Sequence, residues 1–125
     1  MPQVDISAWA SAYLAAESLP ADAKHESPQW WAIERFMNLH DREQAEHAWL
    51  AILEVLSRSP NQDVVGVLAA GPLEDLVEEW GPEFIDRVEL EARRNPAFRY
   101  LLGGVWQSST NEVWSRIEKA REHSW

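Results

Sequence analysis

The amino-acid sequence predicts an all-α protein, a compact irregular array of about eight short helices, with an α-solenoid-like stack as the open alternative. Apolar residues recur at intervals of three and four along most of the chain, which is the spacing of one helical face. Glycine and proline separate these segments, and no long stretch alternates apolar and polar residues as a strand would. At 125 residues, the chain is predicted to form a single helical domain, residues 1–125.

Capping residues mark the predicted helices of the N-terminal half. Asp5 is the predicted N-cap of the first helix, and Ser27 of a second helix with Pro28 in its first turn. Asp41, followed three residues later by Gln44, predicts a capping box at the start of the third helix. These three helices are predicted to cover residues 5–17, 27–39 and 41–57.

Glycine-proline steps are predicted to divide the C-terminal half into shorter helices. Glycine commonly follows a helix end and proline suits a first turn, so residues 71–72 and 81–82 are read as breaks. Asn95 is the predicted cap of the next helix, which Gly103 and Gly104 end, and Ser109 with Glu112 predicts a capping box for the last. The corresponding helices cover residues 62–70, 72–80, 82–94 and 95–102 and a segment from 109, and residues 121–125 are expected to fray.

The charge of the chain excludes some classes of partner and favours another. Its formal net charge is −10, and residues 74–91 contain eight acids and one base. A nucleic-acid-binding protein normally has a basic surface, so direct nucleic-acid binding is not expected, and an anionic membrane would be repelled. The same charge attracts a basic protein partner.

Several features of the sequence predict a cytoplasmic protein. It contains no cysteine, which excludes disulfides and thiolate chemistry and fits a reducing compartment. The N-terminus lacks the basic region and apolar run of a secretory signal. No apolar run approaches the roughly 18 residues that a membrane span needs.

The eight tryptophans are the second unusual feature of the composition. Most are expected to be core residues, but Trp30 and Trp31 are adjacent and lie about 100° apart on a helix, so one is predicted to be exposed. Tryptophan is enriched at binding hot spots. The predicted partner-binding residues combine the acidic segment with this pair: Glu74, Asp75, Glu78, Glu79, Glu83, Asp86, Trp30 and Trp31.

No pattern of residues predicts catalysis, a metal site or a cofactor site. His40, Glu43 and His47 have spacings that could approach one metal ion, but Asp41 caps the helix just after His40, and HExxH is absent. The acids between residues 74 and 79 lack the spacing of an EF-hand and any activating group, so a solvated face is favoured. Neither a G-x-S-x-G elbow nor a phosphate-binding glycine loop is present.

Three sequence blocks in the C-terminal half carry a resemblance to a known family. LAAGPLEDL at residues 68–76, FRYLLGGVW at 98–106 and the VW at 113–114 resemble blocks in a family of small bacterial domains of unknown function. The resemblance implies a bacterial origin and a self-contained helical domain, and it brings no catalytic residues.

The favoured function is a non-enzymatic interaction protein, most specifically an immunity or antitoxin-type inhibitor that docks a basic partner such as a toxin or nuclease. Acid-for-base complementarity would speed the encounter, and aromatic anchors would supply affinity. Three alternatives stay open: a nucleic-acid-mimicking inhibitor of a defence nuclease, a structural oligomerising domain, and a small helical enzyme or ligand-binding domain. The pocket of that last alternative would be lined by Trp30, Trp31, Trp49 and Trp80.

Overall fold

The computed structural model of the protein describes residues 5–125, and all regular elements in that range are helical. The prediction of an all-α fold is therefore confirmed for this part of the chain. The α-helices are α1 (Ile6–Glu17), α2 (Trp30–Phe36), α3 (Arg42–Ser57), α4 (Gln62–Leu68), α5 (Glu74–Arg94), α6 (Pro96–Leu102) and α7 (Asn111–Ala120). A 3-10 turn, Lys24–Glu26, precedes α2, and a π-helical turn, Ala69–Leu73, joins α4 to α5.

The chain divides into two compact units, and the boundary between them lies inside α4. The N-terminal unit ends at Val64, and the C-terminal unit is Val65–Trp125. The prediction of one domain and the solenoid-like alternative stay predictions.

Aromatic rings form the centre of the N-terminal unit, in which α1 packs against α2 and α3. Trp9 and Tyr13 of α1 are almost completely buried, and both rings contact Phe36, at centroid distances of 4.6 and 5.1 Å. The Trp9 indole N–H donates to the carbonyl oxygen of Ala32 at 2.9 Å. This bond satisfies the polar atom that a buried tryptophan brings into a core.

Two of the three predicted N-terminal caps are confirmed. The Asp5 carboxylate accepts a backbone N–H at the start of α1, and Asp41 and Gln44 form the capping box of α3. The third prediction is wrong, because the Ser27 hydroxyl accepts the backbone N–H of Gln29 in a turn that precedes α2. The helix begins after this turn and ends at residue 36 rather than 39.

The C-terminal unit is built on α5, which packs against both α6 and α7. Its core consists of apolar side chains that are nearly inaccessible to solvent, among them Leu76, Phe84, Val88, Phe98, Leu101, Leu102, Val113 and Ile117. The predicted cap of α6 is confirmed, since the Asn95 side chain accepts the backbone N–H of Phe98 at 3.3 Å.

The first of the two glycine-proline steps does not interrupt the helical backbone, which corrects the prediction there, whereas the second coincides with a break inside α5. Pro72 lies within the π-helical turn, and Pro82 lies within α5. A proline removes a backbone N–H and crowds the preceding turn, and at Pro82 the cost is a kink at Trp80, where φ is −132° and ψ is 20°. The helices predicted at 72–80 and 82–94 therefore correspond to two helical segments of α5 that meet at this kink. The predicted count of about eight helices is not confirmed for the described residues.

The start of α7 also differs from the prediction. Thr110 is its N-cap and accepts the backbone N–H of Val113 at 3.1 Å. Ser109 has a φ of 64°, in the left-handed region, so it belongs to the preceding loop.

Candidate functional site

The acids of the segment 74–91 fall into two groups in the structure. In the second half of α5, Asp86 and Glu89 are both bound by Arg116 of α7, with Nη2 to Asp86 Oδ1 at 2.6 Å and Nε to Glu89 Oε2 at 3.0 Å. Hydrogen bonding to Arg116 lowers the pKa of Glu89 below its ordinary value. Glu91 is buried and accepts from Arg94 at 2.8 Å. These three acids are ion-paired within the unit with two arginines.

Two acids at the start of α5 hold the loop between α6 and α7. Glu74 Oε1 accepts the backbone N–H of Trp106 at 2.8 Å, and Glu78 Oε2 accepts that of Ser109 at 2.7 Å. Gly81 supports the same arrangement, because a Cβ there would lie 3.1 Å from the Cβ of Ser109. The loop therefore lies directly against α5, at positions fixed by carboxylates that are 31 or 32 residues distant in sequence.

Asp75, Glu79 and Glu83 are exposed and make no ion pair within the described chain. The spacing of four places Asp75 and Glu79 on one side of α5, and Glu83 follows after the kink at Trp80. Desolvation, followed by the negative charges of Glu74 and Glu79, raises the pKa of Asp75. Glu74, Asp75, Glu78, Glu79 and Glu83 are thus five acids of residues 74–83 without a basic partner among residues 5–125, and we call them the anionic surface.

The predicted aromatic residues of the site lie in the other unit. Trp31 is 42% exposed, as expected for one member of the pair, and Trp30 is half-buried with its ring 4.1 Å from that of His25. Trp30 and Trp31 belong to the N-terminal unit, whereas the predicted acids belong to the C-terminal unit. Each set is thus a surface of its own unit.

The most exposed tryptophan of the described chain was not predicted as a binding residue. Trp106 is 77% exposed and lies in the loop that Glu74 holds. The sequence contained a signal for it, because Trp106 follows two glycines and precedes the polar run 107–111, outside any apolar helical stripe.

Trp106 lies at the edge of a pocket of about 410 Å³ within the C-terminal unit. Trp114 and Trp125 form two further walls, and Arg121 stacks over Trp114 with its guanidinium 5.2 Å from the ring centroid. Arg121 Nη2 also lies 3.9 Å from Glu118 Oε2. Three indole rings therefore surround one open cavity.

The tail that was predicted to fray is fixed in place as one wall of this pocket. The backbone N–H of Trp125 donates to the carbonyl oxygen of Gly103 at 2.9 Å, and its indole N–H donates to that of Tyr100 at 3.0 Å. Gly103 and Gly104 both have negative φ, so turn geometry does not explain them. A Cβ on Gly104 would lie 2.7 Å from Cε3 of Trp125, so the glycines are needed for the close approach of this ring.

Residues 5–125 contain no group of three or more histidine, aspartate and glutamate side chains that could hold a metal ion. His47, one of the histidines considered from the sequence, instead lines a small pocket of about 190 Å³ beside Trp9 and Arg35. Within the same range, none of the helices has both the length and the apolar character needed to cross a membrane.

Comparison with known proteins gives one match. A family model described as "Family of unknown function (DUF6869)" matches residues 19–125, which include the whole C-terminal unit. No curated protein and no solved structure matches the chain significantly.

Proposed function

The chain belongs to the family of unknown function DUF6869, which brings no activity with it, and we propose that it is a non-enzymatic interaction protein whose anionic surface docks a basic protein partner. The most specific form of the proposal is an immunity or antitoxin-type inhibitor, acting in the cytoplasm against a toxin or nuclease. Such an inhibitor covers the positively charged cleft of its target, so the protein itself does not contact nucleic acid.

The observation that carries this proposal is the anionic surface. Its acids lack basic partners in the described chain, whereas Arg116 and Arg94 form ion pairs with three acids that follow in α5. An acid without an internal basic partner keeps its full negative charge, and the electrostatic field of that charge can attract a basic protein. Because Glu74 and Glu78 also fix the adjacent loop, the surface is held on a rigid support, and rigid charges speed association and define its register.

The raised pKa of Asp75 supports the same reading. Desolvation is the main cause of the raised pKa, and the nearby charges of Glu74 and Glu79 raise it further, so these carboxylates are close enough to repel each other at neutral pH. Charged residues that destabilise the fold occur preferentially at functional sites, and a bound partner of opposite charge would stabilise them.

Three other functions stay as alternatives with separate discriminating observations. A nucleic-acid-mimicking inhibitor would compete with DNA or RNA for its target, whereas an inhibitor that binds elsewhere would not. A ligand-binding or enzymatic role would require a small molecule that binds without a partner protein. An oligomerising role would appear as a concentration-dependent mass in solution.

The experiment that tests the proposal compares two variants with equal net charge. The first carries Asp75→Asn, Glu79→Gln and Glu83→Gln in the anionic surface. The matched control carries Asp22→Asn, Glu26→Gln and Glu34→Gln, three exposed acids of the N-terminal unit. Each protein is immobilised and used to capture proteins from a lysate of the source organism at low and high salt.

A basic protein is expected to bind the wild type and the control at low salt, to be released by high salt, and to be lost from the first variant. If the two variants lose the captured protein equally, only net charge matters, and the proposed surface is wrong. Capture that does not change with salt would also contradict the proposal.

A further inference from the structure

The exposed ring of Trp106 is not explained by the fold. It contributes little to the core, yet its backbone is fixed by Glu74 across 32 residues of sequence. A tryptophan that is mostly exposed on a rigid segment has lost backbone freedom before any partner arrives. Large aromatic side chains held in this way are typical anchors of protein interfaces.

The pocket beside Trp106 has the size and lining of a site for a side chain or small ligand. Its volume of about 410 Å³ lies in the usual range of ligand sites, roughly 300–1,000 Å³. The absence of side chains at Gly103 and Gly104 lets Trp125 lie close, and the indole rings share the lining with the polar side chains of Gln107, Arg121 and Ser124. Arg121 is stacked on Trp114 and lies near Glu118, so it forms a wall rather than a free anion-binding group.

The charge next to the pocket defines what can occupy it. The loop that carries Trp106 is hydrogen-bonded to two members of the anionic surface, Glu74 and Glu78, and the other three members follow along α5. An occupant with acidic neighbours would be repelled, whereas lysine or arginine beside an apolar group would meet carboxylates.

From this arrangement, we propose that the pocket formed by Trp106, Trp114 and Trp125 receives a large apolar side chain from a basic segment of the partner protein. Lysine or arginine residues on either side of that side chain face the anionic surface. The proposal rests on the proposed function and adds to it the position of the interface centre and the chemistry of the segment that binds there.

The test uses the full-length protein and a synthetic peptide of this chemistry, acetyl-Arg-Lys-Phe-Lys-Arg-amide. Each of the eight tryptophans gives one indole N–H signal in a proton–nitrogen NMR spectrum, so binding can be localised ring by ring. We expect the peptide to shift the signals of Trp106, Trp114 and Trp125 and to leave that of the buried Trp9 in place. Two control peptides carry serine in place of phenylalanine, or glutamate in place of every basic residue, and both are expected to bind at least about tenfold more weakly.

The Trp106→Ala variant is expected to weaken binding of the basic peptide by roughly tenfold or more, as hot-spot tryptophans do. Leu90→Ala is the matched control, because Leu90 is an exposed apolar residue of α5 at 49% exposure. An unchanged helical circular-dichroism spectrum and an unchanged cooperative thermal transition of each peptide-free variant show that the fold is intact.

The possible results separate the two proposals. Salt-sensitive binding that is lost with Asp75→Asn, Glu79→Gln and Glu83→Gln but shifts none of the three pocket indoles would overturn the pocket proposal and leave the proposed function standing. Equal binding of the basic and glutamate peptides, insensitive to salt, would refute the proposed function together with the charge selection proposed here. No shift at any of the three pocket indoles at high peptide concentration would refute the pocket proposal.

Discussion

The loop between α6 and α7 is predicted to depend on two carboxylates of α5, and Glu74→Ala and Glu78→Ala test this dependence. Their oxygens lie 2.8 and 2.7 Å from the backbone nitrogens of Trp106 and Ser109. A hydrogen bond to a charged group contributes about 1.5–3 kcal/mol in a favourable site. Because these carboxylates are exposed or half-exposed, solvent screening reduces the expected contribution to about 1 kcal/mol each.

Thermal and urea unfolding at neutral pH measure this effect. For a domain of this length, 1 kcal/mol corresponds to a change in Tm of about 4 °C. Each single variant is therefore expected to lower Tm by about 4 °C. The double variant should lower Tm further, but not by a simple sum, because both carboxylates hold the same loop. Glu74→Gln and Glu78→Gln keep an acceptor oxygen without the charge and should give intermediate values.

Glu79→Ala is the matched control, since it removes the same charge from an exposed carboxylate that makes no ion pair within residues 5–125. Its Tm is expected to stay within about 2 °C of wild type, as for most surface substitutions. If Glu79→Ala lowers Tm as much as Glu74→Ala does, the loss reflects helix propensity or net charge, and the proposed role of the loop bonds is wrong.

Three further predictions concern charge and close packing. Arg116 lowers the pKa of Glu89 from its ordinary value of 4.5, so the stabilisation from this pair is fully present above pH 4.5 and is lost as the pH falls through the folded-state pKa. In urea unfolding, Arg116→Met should therefore be less stable than wild type at pH 7, and the difference in unfolding free energy should disappear in acid. The charge of Asp75 has the opposite effect on stability, because its pKa is raised from 3.8 and ionisation therefore destabilises the fold. Asp75→Asn should raise Tm at pH 7, and this increase should vanish below pH 3.8. A lower Tm at pH 7 would contradict the cause given for the pKa shift. Gly104→Ala should lower the free energy of unfolding in urea by about 1–3 kcal/mol, because the new Cβ would overlap a tryptophan ring. Gly66→Ala within α4 should raise it by about 0.5–1 kcal/mol, because the space around that Cβ is open. Equal effects at the two sites would refute the packing argument.

The local features of this fold were predictable from the sequence. Asp5, Asp41 and Asn95 cap the helices that they were predicted to cap, because a cap bonds to a backbone N–H only two or three residues away. The predictions that Ser27 and Ser109 are caps were wrong because capping also depends on the backbone conformation. Several side chains of the same type lie near each helix start, and the backbone conformation, which the sequence does not show, selects one of them.

The candidate site was predictable only in part. Its acidic segment was evident from the sequence. The ion pair that removes Asp86 from the predicted binding surface was not, because its partner Arg116 lies 30 residues further along the chain. Trp106 and Trp125 were missed because neither belongs to an apolar helical stripe. Their positions are fixed by bonds to Glu74 and Gly103, which are 32 and 22 residues away.

The sequence by itself determined the helical class, most helix starts and the excess of negative charge, because periodicity, capping and composition act over a few residues or need no structure at all. Only the tertiary structure decided that the first glycine-proline step continues as a π-helical turn, whereas the second kinks α5 at Trp80. It also decided which carboxylates are paired, which fix a loop and which remain free. Those outcomes depend on groups that are distant in sequence and are brought within hydrogen-bond distance only by folding.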